Sequence, residues 1–571
     1  MQIKEQIQKA AQEVLQKLGI ENTEVFLEFP EDLSHGDFST NIALVEAKKI
    51  GKNPKELAEE IKKELEKSLP KEIEGVSVAG PGFINFTLSK YFFVEEIGEV
   101  LKKGDSYGKG DKLKGQKISI EYTNTNVLKP LHIGHLMGNV IGESLSRIVE
   151  WQGAEIKRNT YQGDTGLHIA KAVWGLQKAG GKIKADLNTQ VGYIGKAYAH
   201  GSSAYEDDPQ AQGEIKEINK NLFEGGNEDI TDLYTWGRKV SLDHLEELYK
   251  KLGTKFDFYF FESEVSQDAV IIIKKFLEKK VFEESDGAIV FKGENFDPKL
   301  HTRVFVTSQG IPTYEAKDIA HALRKYAVYE FNRAIIITAN EQNDYFKVVL
   351  RALKEIDSSL SQKIEHMSHG MLNLASGKMS SRTGNVITGE SLITQVEDLV
   401  QVKIADRNFD ENLKKDVSEK VAVGAIKYSI LRQSIGRDII FDFDKSLSFE
   451  GDSGPYLQYA HTRAQSILEK AKEENLYLGV ELLSSWKTTN LERLLTRFPA
   501  IVERAGSEYA PQYVVTYLTE LASVFNSWYA EGKIVDAENL ATPYKLAITS
   551  AFKTVMKNGL TVLGIKLPER M

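Results

Sequence analysis

The residues from Lys117 to Gly153, KISIEYTNTNVLKPLHIGHLMGNVIGESLSRIVEWQG, change their hydrophobic period in mid-stretch, and that change limits the possible folds more than any other feature of the chain. Ile118, Ile120 and Tyr122 alternate with Ser119 and Glu121, the period-two pattern of a strand. Leu136, Val140, Ile141, Leu145, Ile148 and Val149 then recur at helical spacing until Gly153 stops them. A strand therefore enters a helix through a turn, and Ala154 to Gln162 reads as a second strand, so the segment predicts a βαβ unit of a parallel, doubly wound sheet. The turn contains Leu131-His132-Ile133-Gly134-His135. Its two imidazoles lie at the start of a helix, where unpaired N–H groups and the macrodipole favour anions. Gly134 has no side chain to keep a flat ring off the backbone, and both histidines can donate to phosphate oxygens. The arrangement suits a nucleoside triphosphate.

At 571 residues the chain has room for three or four domains, each with its own core. Its composition, 41% hydrophobic and 27% charged, is that of a soluble globular protein. The N-terminal MQIKEQIQKAAQEVLQKLGI is amphipathic, without the apolar centre of a signal peptide, and no run is long enough to span a bilayer. A cytoplasmic protein without membrane contact is expected. The absence of cysteine excludes disulfides and thiolate zinc sites. A net charge of −9 argues against indiscriminate nucleic-acid binding but leaves room for a local basic surface.

Residues 1–110 read as a separate α+β module: a first helix, a strand over Glu24–Glu28, a turn through Pro30 and His35-Gly36-Asp37-Phe38, and a helix from Thr40 to Lys49. Asn53 and Pro54 open a further helix, as cap and first-turn residue, and strands flank the turn Gly80-Pro81-Gly82. Lys102 to Lys114 reads as linker. After the βαβ unit, Gly163-Asp164-Thr165-Gly166 falls at a strand's carboxyl end, where ligands collect in such sheets. A polar stretch over about 182–255 is too long for a plain connection and predicts a helical insertion with solvated acidic runs. Strands resume at Phe256–Phe260, Ala288–Phe291 and Arg303–Thr307. Tyr314 and Asp318 share one face of the next helix, and the buried strand Ala334–Ala339 ends at Asn340-Glu341-Gln342. A strand near Gly370 leads to Ser376-Gly377-Lys378-Met379-Ser380-Ser381-Arg382, a loop suited to wrapping a triphosphate. From about Phe409 onward the pattern is predominantly helical, with most aromatics at core spacing.

Several of these strings resemble one family. LHIGH looks like the HIGH signature of class I aminoacyl-tRNA synthetases. HGDFSTNIAL, GKNPKELAEEI and AGPGFINFTL are similar to the N-terminal additional domain of arginyl-tRNA synthetases, which touches the outer corner of the tRNA. GPYLQYAHTRAQSIL, LASVFNSWY and KNGLTVLGIKLPERM look like that family's anticodon-binding bundle. Lys378 to Arg382, KMSSR, resembles the KMSKS loop but has Ser381 where the loop's second lysine stands. Arginyl enzymes with a degenerate loop often carry a lysine ahead of HIGH, and Lys129 takes that place here.

The resemblance implies a multidomain α/β protein: an N-terminal α+β additional domain (1–110), a Rossmann-like class I catalytic domain with a helical insertion (111–400), and a C-terminal all-α anticodon-binding bundle (401–571). It implies a ligase that activates L-arginine with ATP and Mg²⁺ and transfers it to tRNA(Arg), without zinc or another protein-bound metal, and a monomer. Catalysis falls to His132, His135, Lys129 and Lys378. ATP is held by His132, Gly134, His135, Lys378, Met379, Ser380, Ser381 and Arg382. Arginine is held by Glu121 and Asp318 at its guanidinium with Tyr314, by Asn126 and Gln342 at its amino end, and by His132 at its carboxylate. Arg463, Tyr509, Tyr529 and Met571 are nominated for tRNA contact by stacking and phosphate pairing. Two other readings stand beside this one: a synthetase for cysteine or glutamate, disfavoured by the absent cysteines and by the acidic pocket respectively, and a catalytically silent paralogue that only binds tRNA.

Overall fold

The computed structural model describes residues 2–375, 388–481 and 483–571, in two units. The first comprises Met1–Lys109, Leu457–Arg504 and Thr516–Gly559; the second comprises Gly110–Tyr456, Ala505–Val515 and Leu560–Met571.

In the first unit, strands β1 (Phe38–Thr40), β2 (Ile73–Ala79) and β3 (Phe83–Leu88) form an antiparallel sheet in the order β1-β3-β2. Helices Gln2–Lys17, Ile42–Ile50 and Pro54–Leu65 supply its core with Ile7, Leu57 and Ile61, against Ile84 and Phe86 of the sheet. Asn53 Oδ1 accepts from the backbone N–H of Lys55 and Glu56 at 2.9 and 3.3 Å, and Pro54 follows it, as the sequence predicts. The strand expected over Glu24–Glu28 is reduced to one bridge, in which Glu28 exchanges both backbone hydrogen bonds with Ser39. Val25 and Leu27 are buried and Phe26 is 68% exposed, so the alternation is real, but β1 is too short to pair with more of it. The next helix starts at Ile42 rather than Thr40, because Thr40 pairs with Ile84. The helix Lys90–Lys103 likewise takes in the first residues of the expected linker. Farther along, Phe525 stacks on Phe552 at 3.8 Å, and the buried Glu492 carboxylate accepts from Trp486, Thr489 and Tyr544.

The second unit holds β4 (Lys117–Glu121), β5 (Glu155–Gln162), β6 (Phe258–Phe261), β7 (Glu283–Ser285), β8 (Ala288–Lys292), β9 (Thr302–Val306), β10 (Arg333–Ala339), β11 (Ile364–His369), β12 (Leu372–Leu374) and β13 (Ile439–Phe441). Five of these form a parallel sheet in the order β11-β10-β4-β5-β6, which establishes the expected doubly wound fold. β7, β8 and β9 form a separate antiparallel sheet, and β13 pairs with β12 within a stretch expected to be helical. A three-residue strand carries too little periodicity to show against long helices.

Three helices make the insertion: Leu187–Asp207, Pro209–Glu224 and Glu228–Leu252. Each has a side-chain cap written in the sequence, from Asp186, Asp208 and Asn227. Glu206, Asp207 and Asp208 are exposed, while Ile194, Ile215, Ile230 and Val240 join a core with Val173 and Trp174 of the helix Leu167–Lys178. Backbone meets backbone there: a Cβ on Gly175 would stand 2.0 Å from the carbonyl oxygen of Ala197, and one on Gly201 would stand 2.0 Å from that of Lys171. Gly175→Ala gains about 1 kcal/mol of helix propensity, but forcing the helices apart costs on the order of 1–3 kcal/mol. A net fall in thermal midpoint is expected, with no gain from the added alanine.

Candidate active site

β4 and β10 lie side by side, and the chain leaves them in opposite directions, through β5 and β6 on one side and β11 on the other. The carboxyl ends of such a pair diverge and open a crevice. Residues 122–132 leave β4 there in a strained path: Thr123 and Leu128 have φ of 60° and 58°, a region that side chains normally avoid. Surrounding groups hold them. Asn139 Nδ2 donates to Thr123 Oγ1 at 3.0 Å, the Leu128 N–H donates to Ser241 Oγ at 3.0 Å, and Leu128 packs against Gly237 of the insertion.

His132 is the N-cap of helix Ile133–Trp151. Its Nδ1 accepts from the Gly134 N–H at 3.1 Å, and its own N–H donates to His135 Nδ1 at 3.3 Å, a reciprocal capping box. Both Nδ1 atoms are therefore acceptors, so each neutral ring carries its proton on Nε2, the donor left for a ligand. Burial, then the neighbouring charges of His132, Lys129 and His369, pushes the His135 imidazole down to about 4. Burial and Lys129 also lower His132, against an opposing pull from Glu341. Both rings are thus neutral donors at pH 7. Lys129 is exposed, its Nζ 5.5 Å from the Tyr198 ring centroid. Above Gly134, a Cβ would meet only His132 Nδ1 within 4 Å among the described residues, which leave the space otherwise open. Lys378, Met379, Ser380, Ser381 and Arg382 lie outside the described residues. The chain after them pairs Thr388 with His132, and the Gly389 N–H donates to Leu131 O at 2.9 Å.

Deeper in the crevice is a group of carboxylates. Glu121, the last residue of β4, is 2% exposed; its Oε2 accepts from His321 Nε2 at 2.8 Å and Lys325 Nζ at 2.5 Å, and its Oε1 from Asn124 at 3.0 Å. Burial alone would raise its pKa, but Lys325 and His321 hold the carboxyl well below the usual range. Glu262, just past β6, pairs with Lys317 and accepts from Thr165 at 3.2 Å; burial leaves its carboxyl raised. Asp164, just past β5, accepts from Arg238 at 3.0 Å, from Tyr234 and from Ser263. Asp318 differs. Tyr345 donates to its Oδ2 at 2.6 Å, but among the described residues it has no ion-pair partner. Burial, with the charges of Glu121 and Glu262 and against the Tyr345 hydrogen bond, raises its carboxyl to about 7. Glu121 and Asp318, both expected to hold the guanidinium, are therefore neighbours of unlike availability. Glu121 is already matched by Lys325, and Asp318 is the open charge.

Tyr314, 50% exposed, lies with its hydroxyl 3.4 Å from His168 Nδ1, and His168 Nε2 lies 3.4 Å from the Gly163 carbonyl. Gly163 bridges Asn126, whose Oδ1 lies against it. This chain of contacts links the carboxylate end to the loop carrying Lys129 and His132. Gln342 is exposed at the carboxyl end of β10. The tRNA nominees stand elsewhere. Arg463 donates to Asn526 at 2.6 Å and lies over Tyr459 and Tyr529, the latter 42% exposed; Tyr509, with φ of 50°, is covered by the Arg333 guanidinium at 4.9 Å; Met571 is half-buried. Glu262, Lys317, Lys325, His321 and Tyr345 were not singled out in the sequence. Glu262 could have been, since it follows the parallel strand β6 directly, as Asp164 was noted at the carboxyl end of β5.

The family model described as "tRNA synthetases class I (R), catalytic domain" matches residues 96–443, "Arginyl tRNA synthetase N terminal domain" matches 1–88, and "DALR anticodon binding domain" matches 457–571. An arginine–tRNA ligase of Streptococcus thermophilus is 32% identical over 577 residues, covering 100% of both chains, and one of Halothermothrix orenii is 30% identical over 100% of this chain and 99% of its own. In fold, the arginyl-tRNA synthetase of Thermus thermophilus superposes with a TM-score of 0.80 at 23% identity, covering 99% of this chain and 100% of that one. That of Plasmodium falciparum gives 0.79 at 20% identity, covering 100% and 99%. Matched from end to end by relatives and family models of one kind, the chain belongs to the arginyl-tRNA synthetases, a family of class I aminoacyl-tRNA synthetases.

Proposed function

We propose that this chain activates L-arginine with ATP to arginyl-adenylate and transfers the arginine to the 3′ end of tRNA(Arg), releasing diphosphate and then AMP, and that the crevice between β4 and β10 is where it does so. The carrying observation is Asp318: among four clustered carboxylates it alone lacks an ion-pair partner among the described residues, so the pocket is short of one cation. A guanidinium, planar and always charged, fits that deficit. Asp318 forms the ion pair with it, Tyr314 flanks it, and Glu121 supports the negative field from its clamp of Lys325 and His321. Asn126 and Gln342 take the α-amino end and His132 the carboxylate. A lysine ammonium offers no fork of donors and leaves acceptors unmet, at about 2 kcal/mol each for charged groups.

In the first step an arginine carboxylate oxygen bonds to the α-phosphorus of ATP, and the bond to the bridging oxygen of the β-phosphate breaks. The Nε2–H donors of His132 and His135 and the ammonium of Lys129 face the phosphates as charge moves onto the leaving group. Gly134 leaves room for the adenosine, and Lys378, Met379, Ser380, Ser381 and Arg382 complete the set of ATP-binding residues. In the second step a hydroxyl of the terminal ribose attacks the arginyl carbonyl and AMP departs. ATP enters as its magnesium complex; among the described residues no group of three or more His, Asp or Glu could hold a metal ion, and the ion travels with the substrate. Residues 1–110 contact the outer corner of the tRNA, 111–400 carry the chemistry, and 401–571 bind the anticodon, with Arg463, Tyr509, Tyr529 and Met571 at the RNA. No described helix is long and apolar enough to cross a membrane, and the enzyme works as a cytoplasmic monomer.

The direct test is ATP–pyrophosphate exchange with each amino acid, with and without bulk tRNA. Exchange with arginine is expected; exchange with another amino acid only, or with none in either condition, would refute the assignment. Lys129→Ala should cut the rate of adenylate formation far more than it weakens ATP binding, and an unchanged turnover would return the role to residues 378–382. Asp318→Asn should lower kcat/KM for arginine about a hundredfold or more, as expected for breaking a buried charge pair.

The same residue sets two pH dependences. Between 3.8, its ordinary value, and about 7, Asp318 is protonated in the arginine-free fold and ionised in the unfolded chain. Wild-type stability therefore falls as pH rises through that window and is level above it. Asp318→Asn removes this loss, so the variant should melt higher than wild type at pH 8, by a margin that shrinks toward pH 5. Arginine must displace the proton, so its KM should rise as pH falls below about 7.

A further inference from the structure

Tyr161 is next to last in β5, at the carboxyl edge of the sheet. Its ring lies face to face on that of His321, with centroids 3.9 Å apart and planes 3° from parallel, and Phe260 meets His321 edge-on at 5.0 Å. His321 cannot turn freely, because its Nε2 is held by Glu121 at 2.8 Å beside the Lys325 ammonium. The phenol is thus braced through three elements, as a ligand contact needs to be. Yet the residue is 7% exposed, and among the described residues its hydroxyl has no hydrogen-bond partner. Buried tyrosines normally find one. Burial, together with the charges of Asp318, Glu262 and Glu121, keeps the phenol protonated. An oxygen set among carboxylates with nothing donating to it is short of a donor, and a cation entering beside Asp318 supplies one.

We infer that Tyr161 is a specificity-determining residue of the pocket: its hydroxyl oxygen accepts an N–H of the substrate guanidinium that Asp318 holds, and His321 is the positioning residue that keeps the phenol in line. This rests on the arginine reading of the site. A fork of N–H groups reaches Asp318 and Tyr161 together, whereas an ammonium concentrates its donors at one nitrogen. An unmet buried group weakens the fold and is retained where a ligand completes it, which accounts for a hydroxyl without a partner among the described residues.

The test is Tyr161→Phe, which deletes the oxygen and keeps the ring on His321. Arginine affinity by calorimetry, and inhibition by agmatine, which keeps the guanidinium without the carboxylate, should each weaken about tenfold, the factor typical of one hydrogen bond to a charged group. The KM for ATP should stay within twofold, and the arginine-free thermal midpoint should hold or rise. Unchanged arginine and agmatine affinity overturns the inference; so does a midpoint several degrees lower, which would make the hydroxyl structural. His321→Phe keeps the stacked face and His321→Gln keeps a donor toward Glu121. Bracing of Tyr161 predicts better arginine binding by the former, and the opposite order removes the positioning role. A wild-type protein that binds no arginine in the same titration would overturn the site reading itself, whereas equal binding by wild type and Tyr161→Phe overturns this inference alone.

Discussion

The pairing of β4 with β10 fixes everything around the crevice. Ile118 to Glu121 run alongside Arg333 to Ile336, and β10 continues to Ala339 beyond the end of its neighbour. That overhang sets the Asn340–Gln342 turn on one wall, while the strained loop to His132 forms the other. Chain departing in opposite directions cannot fill the gap between two parallel strands, so the space stays open for ligands. The floor is Glu121. It stands opposite Ile336 with both carboxylate oxygens engaged, which places a fixed negative charge at the base of the crevice.

From that floor the two ends of the site acquire opposite characters by different means. At the mouth, burial and the Lys129 charge keep His132 and His135 neutral, so they offer directed N–H donors without adding net charge beside Lys129. At the inner end, charge is abundant and nearly balanced: Lys325 answers Glu121, Lys317 answers Glu262, and Arg238 answers Asp164. Buried charges are tolerated only when paired. Asp318 escapes the rule by holding a proton near neutrality, and a proton is a placeholder that a larger cation can replace. The balance also bears on selection. Three resident cations already occupy the other carboxylates, so a bound cation interacts most strongly with the one left open.

Most of the frame was legible in the sequence because each feature rested on a strong local signal. The period change after Tyr122, the apolar run Ala334–Ala339 and the cap at Asn53 each dictate an element without help from the rest of the chain. What escaped was either short or relational. Glu24–Glu28 alternates as a strand should, but whether it pairs depends on the length of β1, and Ile439–Phe441 is only three residues long. The pairing of Glu121 with Lys325 joins residues 204 positions apart, and nothing local to either reports it. Proximity of Glu121 and Asp318 could be anticipated from the resemblance; which of them remains free could not, because that depends on side chains facing both of them from helix Tyr314–Val328 and helix Asn343–Ile356.

The insertion shows the same distinction in reverse. Its sequence advertises solvated helices, and its acidic turn is indeed exposed, yet the side turned inward bears on the site at several points. Ser241 accepts the backbone N–H of Leu128, Gly237 admits the Leu128 side chain, Tyr198 lies beside Lys129, and Tyr234 and Arg238 hold Asp164. Leu128 could not keep a φ of 58° unaided, since a branched side chain in that region is strained by 1–3 kcal/mol in ordinary contexts, about the worth of one or two hydrogen bonds. The helix Glu228–Leu252 offsets that strain, and in doing so aims the loop bearing Asn126 and Lys129. A segment that reads as decoration is therefore the splint for a demanding turn, and the close backbone approaches at its own Gly201 and at Gly175 of the helix Leu167–Lys178 give the splint its stiffness.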